Sequence, residues 1–476
     1  MQTLIIPPTD KENIEKAAEA IRTGEVVSIP TETVYGLGAN AFMPEAVKKI
    51  FEIKGRPSDN PLIVHISDIS EAEKIGRELP SLFYELAEKF WPGPLSIIVK
   101  KNENIPLVVS AGLDTVAIRM PALDMTRDFI RMAGCPIAAP SANISGTVSA
   151  TNARFVYDDF NGKIPYILDG GDCNIGIEST VVNITGDKIV ILRPGGITLE
   201  DFKDAGFEAC YHPSVLKTEE VENPASPGMK YKHYSPKCPV TLVCGGYGIC
   251  EDYILRNAKE KDLVLAFSEQ TELLKLENSE CLSSVKEPYI AAAKIFSAFR
   301  EADKKGYERI YLSSLPEKGM GISYMNRVRK SAGGNIVNLN KIIFVCTGNT
   351  CRSPIAEYLM KTAAPALDIS SRGLSAVPGS KMSFLSESIL SKYGIETKDF
   401  KSAPLTLKEA EEADIIYTMT NDHKEAILSA CPELESRVFT LKTDGDIRDP
   451  YMGDEFVYEQ TFNEILREIG RIAAND

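Results

Sequence analysis

A chain of 476 residues is too long for one compact core and leaves room for about three domains of roughly 100 to 200 residues each. Its 43% hydrophobic and 25% charged composition is that of ordinary globular protein and excludes extended disorder. A net charge of −14 argues against a surface that clamps nucleic acid all over, because neutralising phosphates takes an excess of Lys and Arg; a local basic patch stays open.

No segment approaches the 18 or so uninterrupted apolar residues of a membrane span, and the opening MQTLIIPPTDKENIEK lacks a basic region followed by an apolar stretch. The ten cysteines are scattered over the chain, which favours reduced thiols. These features lead to the expectation of a cytoplasmic protein with no membrane partner.

From residue 8 to 197, short apolar runs (VVSIP, PLIVHI, LSIIVK, TVAIRMP, IVILRP) alternate with a few helical stretches, predicting an α/β domain with a mixed, twisted sheet. In PEAVKKIFEIKGRP, Val47, Ile50 and Phe51 share a helical face, and Gly55 with Pro57 ends the helix. The helix is expected to deliver Lys54 and Arg56 onto a loop, where they can meet a triphosphate. Gly36 and Gly38 permit a close backbone approach. Each feature has a plainer reading: a solvated helix end for Lys54 and Arg56, a satisfied strand histidine for His65, a structural ion pair for Arg119.

Four runs together carry more than any one of them: TETVYGLGA at 31–39, KGRPSDNPLIVH at 54–65, VAIRMP with APSANISG at 116–146, and IEST with LRPGG at 177–196. In this order they resemble the YrdC-type threonylcarbamoyl-AMP synthases, over the whole of residues 8–197. The resemblance implies a nucleotidyltransferase that condenses L-threonine, bicarbonate and ATP, with Mg²⁺ on the phosphates, and feeds enzymes that modify the adenosine beside the anticodon of tRNA. It places the threonine pocket on Thr33, His65, Arg119, Ala139 and Ser179. It places nucleotide contacts on Arg56, Asn60, Thr115, Ser141, Ser149 and Arg193, with Lys54 close by. A guanidinium such as that of Arg119 suits a carboxylate. No carboxylate or thiol in these motifs looks like a covalent nucleophile, so catalysis rests on positioning and charge neutralisation.

Residues 211–237 carry several prolines and no periodicity and are expected to be an extended linker. Within them SPGMKYKHYSP resembles the segment that joins the two domains in the longer form of this family, which implies a lid whose Tyr234 reaches the nucleotide; the alternative is a spacer. After the linker, PVTLVCG, DLVLAF and RIYLSS are strand-like, with a helix burying Ile295, Phe296 and Phe299 before the last, predicting a small α/β layer domain over 238–335. Its NRVRKSAGGN matches the same longer form.

The strand KIIFVC opens a third unit, 341–476, that continues through ADIIYTM and RVFTL, and an apolar strand running into a Gly-containing loop and a helix predicts a doubly wound parallel sheet. In Cys346-Thr-Gly-Asn-Thr-Cys-Arg352-Ser-Pro a thiol and a guanidinium end one tight loop before a helix expected near Pro354. Loop N–H groups and the helix N-terminus converge on an anion, and Arg352 can hold two phosphate oxygens. The same field favours the Cys346 thiolate as nucleophile, steadied by Ser353, with Asp449 in RDPYMGD as the acid for the leaving group. The plainer reading is a core cysteine at a strand end.

This segment resembles the low-molecular-weight protein tyrosine phosphatase family over its full length, which implies a phosphoprotein substrate. Thr350 is similar to the residue of protein-arginine phosphatases, where phosphotyrosine enzymes usually have a larger aliphatic side chain, so phosphoarginine is favoured and phosphotyrosine is the alternative. Cys351 is either a redox partner of Cys346 or a packing residue. An arsenate reductase would need further resolving thiols, and only Cys431 lies downstream. An RNA-binding module remains the competing reading of the N-terminal sheet.

Overall fold

The computed structural model describes residues 2–186, 188–216 and 234–473, and the chain divides into two compact units. One comprises Met1–Val240, Leu282–Ile310 and Leu315–Asn335; the other comprises Thr241–Cys281, Tyr311–Ser314 and Ile336–Asp476. Residues 238–335 thus contribute to both.

The first unit is built on one mixed sheet of eleven strands: β1 (Leu4–Ile6), β2 (Val27–Ile29), β3 (Gly36–Asn40), β4 (Ile63–His65), β5 (Leu95–Lys100), β6 (Thr115–Arg119), β7 (Ile137–Ala139), β8 (Tyr166–Leu168), β9 (Thr180–Asn183), β10 (Ile189–Arg193) and β11 (Ala209–Tyr211). Their spatial order is β1-β8-β2-β3-β7-β4-β6-β5-β9-β10-β11. The five apolar runs all form strands. The polar or short strands β1, β3, β7, β8, β9 and β11 went unread, because three to five residues give too little alternation.

Alternation shows in the packing. In β7, Ile137 and Ala139 join one buried cluster, with Ile21, Val27 and Phe129, and Ala138 joins the other, with Leu37, Val47 and Phe160. Gly38 lies within β3, where a Cβ would stand 2.6 Å from Ile137 Cγ2; its bareness lets the strand pack.

Helix Pro44–Lys54 buries Val47, Ile50 and Phe51 as expected and stops at Gly55, whose φ of 62° is left-handed. Lys54 corrects the expectation. It is the last helical residue and is buried, not on a loop.

The supposed start of the linker belongs to the sheet: β11 runs parallel to β10, and Pro213–Leu216 adds a turn of helix. Most of SPGMKYKHYSP lies outside the described residues. Two helices from the far side of the linker, Pro288–Lys305 and Met320–Ala332, complete this unit. Arg300 binds Val148 O at 2.6 Å and Asp159 at 2.7 Å, Ser323 Oγ donates to Gly195 O at 2.9 Å, and Ala293 packs where Gly176 has no side chain.

The second unit holds two sheets. The five-stranded one comprises β12 (Val240–Cys244), β13 (Asp262–Phe267), β14 (Ser279–Ser283), β15 (Arg309–Ser313) and β16 (Ile336–Asn338), in the order β14-β13-β15-β12-β16. The other comprises β17 (Lys341–Cys346), β18 (Asp368–Gly373), β19 (Ile415–Thr418) and β20 (Val438–Thr440), all parallel in the order β18-β17-β19-β20. In β17, Ile342 and Phe344 enter one core cluster and Ile343 and Val345 another, which is why that strand reads as continuously apolar. The order reverses beside β17, so its carboxyl end is the switch point where such sheets bind ligands. No helix among the described residues is long and apolar enough to cross a membrane.

Candidate active sites

In the first unit a cleft of roughly 640 Å³, open mouth included, gathers residues from all four sequence runs. Thr33, His65, Arg119, Ala139 and Ser179 line it, as do Arg56, Ser141, Ser149, Arg193 and Tyr234. Segments up to two hundred residues apart in sequence converge because β3, β4, β6, β7 and β9 are sheet neighbours or nearly so.

Three residues expected here stand off the wall. Thr115 opens β6, whose last residue is Arg119; four residues of strand separate them by about 13 Å. Lys54 turns its Nζ to the carbonyls of Ser141 and Asn143, bracing the loop that carries Ser141, and burial together with Arg56 pushes its amine well below the ordinary lysine range. Asn60 is buried, its carbonyl accepting from Arg56 Nη2 at 3.3 Å.

Arg119 is buried and makes the ion pair that its plainer reading foresaw. Nη2 meets Glu32 Oε1 at 2.6 Å, Nη1 donates to Thr33 Oγ1 at 2.9 Å and Nε to Gly93 O at 3.3 Å, so three of its five N–H groups have partners among the described residues. Arg193 clamps Ser179 through its carbonyl and hydroxyl, both at 3.0 Å, and burial lowers its guanidinium to about 10. Glu178 accepts from Ser149 Oγ at 2.6 Å and from Arg327 Nε at 2.9 Å. Arg56 is half-buried, lowered by burial to about 10, and its Nε has no partner among the described residues.

Burial, then the Arg119 charge, pushes the His65 imidazole down to about 3, so the ring stays neutral at working pH. An unfolded histidine titrates near 6.5. Below that pH the unfolded chain takes a proton that the folded chain refuses, and stability falls as pH falls from 6.5 toward 3. His65→Gln is expected to lose about 2 kcal/mol less stability than the parent between pH 7 and pH 5. Denaturation followed by the fluorescence of Trp91, the single tryptophan and a residue of the same unit, measures the difference.

In the second unit Cys346 ends β17 and helix Arg352–Ala363 begins at Arg352 itself, two residues before the expected Pro354. Cys346 Sγ lies 3.0 Å from Ser353 Oγ and accepts the Asn349 N–H at 3.3 Å. Asn349 sits at φ 51°, a left-handed turn held by its side chain, which donates to Ser353 Oγ at 3.0 Å and Ser371 Oγ at 2.8 Å and accepts from Ala403 N at 2.9 Å.

The direction of these bonds is forced. Ser371 must donate to the Glu357 carboxylate at 2.5 Å, so its oxygen accepts from Asn349; the second Asn349 amide hydrogen then occupies Ser353 Oγ, leaving the Ser353 O–H for Cys346 Sγ or the more distant Arg372 O at 3.3 Å. Arg352, buried, pairs with Asp449 Oδ2 at 2.7 Å and donates to Ile447 O at 3.2 Å, which brings the expected acid beside the loop. Thr350 is half-buried, its carbonyl accepting Ser383 N–H at 2.9 Å, and Cys351 is buried with its Sγ 3.2 Å from Tyr458 OH.

Three family models match the chain in succession: one described as telomere recombination over residues 19–195, the threonylcarbamoyl-AMP synthase C-terminal domain over 197–333, and low molecular weight phosphotyrosine protein phosphatase over 341–475. A threonylcarbamoyl-AMP synthase of Pyrococcus abyssi is 43% identical over 68% of this chain and 96% of its own length. The chain belongs to the threonylcarbamoyl-AMP synthase family. Its C-terminal part is a fused low-molecular-weight phosphatase, 38% identical to a protein-arginine-phosphatase of Geobacillus stearothermophilus over 28% of this chain and 93% of that one. The solved Pyrococcus abyssi Sua5 complexed with L-threonine is 40% identical, has a TM-score of 0.65, and aligns with 71% of this chain and 99% of its own.

For the synthase the sequence reading missed Glu32, Glu178 and Arg327. Glu32 and Glu178 stand inside motifs already singled out, next to Thr33 and Ser179; that signal was present and unused. Arg327 lies 149 residues from Glu178, and no local pattern joins them. In the phosphatase, Asn349 was likewise present in the motif without a role, and Glu357 lies just beyond it on helix Arg352–Ala363.

Proposed function

We propose that the cleft of the synthase binds ATP and L-threonine and joins them with bicarbonate into threonylcarbamoyl-AMP, releasing pyrophosphate, as a step toward threonylcarbamoyl modification of tRNA. The observation that carries this is Arg56: a guanidinium that keeps its charge at neutral pH, reaches only carbonyl oxygens among the described residues, and lines an open cleft. Such a cation calls for a polyanion. Arg119 offers its remaining N–H groups to the amino acid's carboxylate, while neutral His65 adds no second charge. The threonine amine attacks the bicarbonate carbon, a C–O bond of bicarbonate breaks and its oxygen leaves as water with the amine's proton, and the carbamate oxygen then attacks the α-phosphorus with pyrophosphate as leaving group.

The carboxylate on the cleft wall, Glu178, has both oxygens engaged, and no group of three metal-ligating side chains occurs among the described residues. Magnesium would come with the substrate, on the triphosphate's own oxygens. Incubating the protein with ATP, threonine and bicarbonate should release pyrophosphate only when all three are present; release without threonine overturns the reading.

The phosphatase reads as a phosphoarginine enzyme. Cys346 attacks phosphorus, Arg352 and the loop N–H groups hold the oxygens, Asp449 protonates the leaving nitrogen, and water then releases phosphate from the thiophosphate. Thr350 supports the choice of substrate, since its hydroxyl is an acceptor on the loop rim for a guanidinium N–H, and an aliphatic side chain is not. Thr350→Ile is expected to move the ratio of kcat/KM for phosphoarginine over phosphotyrosine by at least about tenfold, or 1.4 kcal/mol, toward phosphotyrosine. A ratio that stays put assigns selectivity to the loop of Asp449 and Tyr451.

A further inference from the structure

Arg327 is the largest fully buried side chain of the described residues, and it is charged. It stands on helix Met320–Ala332, in the segment that matches the synthase C-terminal domain and not the catalytic one. An arginine with no exposed surface is kept only where its charge is answered.

Part of the answer is Glu178, at 2.9 Å from Nε, and the rest is Asn326 Oδ1, at 3.0 Å from Nη1; the buried Nη2 has no partner among the described residues. Burial alone would raise the Glu178 carboxyl, but the Arg327 and Arg193 guanidiniums outweigh it and hold it below the usual carboxylate range. Glu178 is therefore an acceptor only, and Ser149 must point its hydroxyl hydrogen at it, which leaves the Ser149 lone pairs turned to the cleft.

The same guanidinium lies 5.5 Å from the centre of the Tyr234 ring, which also stacks on Phe296 at 5.2 Å. One turn on, Ser331 Oγ donates to the Tyr234 carbonyl at 2.7 Å. Tyr234 is held at φ 65°, a conformation unfavourable for a tyrosine unless the surroundings impose it. Ser149, Glu178 and Tyr234 are neighbours on the cleft wall, and Arg327 stands behind all three.

We infer that Arg327 is a positioning residue of the synthase, setting through Glu178 and Tyr234 the part of the cleft wall that receives the nucleotide. The inference rests on the cleft's being the ATP site. The helix from the second family segment is thus a component of the catalytic unit, and a chain cut after residue 197 lacks part of its own nucleotide wall.

The test uses the full chain, with ATP affinity from calorimetry, KM and kcat for ATP from pyrophosphate release, and phosphatase turnover of a small phosphate ester as a control for folding elsewhere. Arg327→Gln is expected to raise the Kd and KM for ATP at least tenfold, leaving the KM for threonine within about threefold and the phosphatase unchanged. Arg327→Lys should recover part of the loss, because it returns the charge without the fork.

If Arg327→Gln lowers stability or kcat but leaves ATP affinity as it was, the residue is structural only and the inference fails. Should that variant not fold, Ser331→Ala decides. It removes the hydroxyl that binds the Tyr234 and Arg327 carbonyls and leaves the guanidinium in place, and an unchanged ATP Kd overturns the inference while a weaker one supports it. A parent protein that binds no ATP would instead overturn the reading of the cleft, and this inference with it.

Discussion

Replacing Cys346 by Ser is expected to abolish phosphatase turnover, by at least about a thousandfold, and to leave threonylcarbamoyl-AMP synthesis within about twofold. The substitution removes one atom's worth of chemistry and little volume. A serine hydroxyl is hardly ionised at neutral pH, so the loop would still collect phosphate and have no nucleophile to present. The bonds that steady the sulfur, from Ser353 Oγ and from the Asn349 N–H, can pass to an oxygen without repacking. Phosphate should therefore still bind with the parent's affinity, which separates a lost nucleophile from a collapsed loop. The synthase cleft is lined wholly by residues of the other compact unit. A fall in pyrophosphate release in this variant would show that the two activities are coupled through the chain.

Arg119→Ala is expected to lower kcat/KM for threonine by at least about tenfold while changing the Kd for ATP by less than about threefold. Two effects combine. The amino acid's carboxylate loses a charge-assisted pair worth about 1.5 to 3 kcal/mol. Glu32, buried against Arg119 at 2.6 Å, loses the cation that answers its charge, and breaking one side of a buried pair costs about 3 to 5 kcal/mol. The second effect is one of stability and would confuse the first.

A double variant separates them. Arg119→Met with Glu32→Gln removes both charges, keeps most of the volume, and should recover much of the lost stability without restoring threonine use. Parent-like threonine use in the double variant would show that the carboxylate is bound elsewhere and that Arg119 is the structural ion pair of its plainer reading. Trp91 again reports stability of this unit, and pyrophosphate release at varied threonine reports function.

Some of this protein was legible before any coordinate. The loop from Cys346 to Arg352 could be read because nucleophile, backbone donors and guanidinium are contiguous, so local chemistry fixes their arrangement. Strand β17 was legible because burial on both faces writes an unbroken apolar run, and helix Pro44–Lys54 because a 3.6-residue stripe, a proline at its start and a glycine at its end agree. The cleft residues were found as a set, through resemblance, since spacing alone does not say that His65, Arg119 and Ser179 share a wall.

Tertiary structure decided what lies between distant residues. Lys54 was expected on a loop and turns inward, because the carbonyls of Ser141 and Asn143, nearly ninety positions away, offer its amine the partners that a helix end lacks. Thr115 and Arg119 stand at opposite ends of one strand, and that strand carries them apart. The partners of Arg119 and Glu178 could not be read either: Glu32 is 87 residues from the one and Arg327 is 149 from the other. A sequence records which side chains carry charge and at what local period they recur. Which buried charge answers which is set by the fold, because desolvation makes a lone ion costly wherever it lies and only a three-dimensional neighbour can offset it.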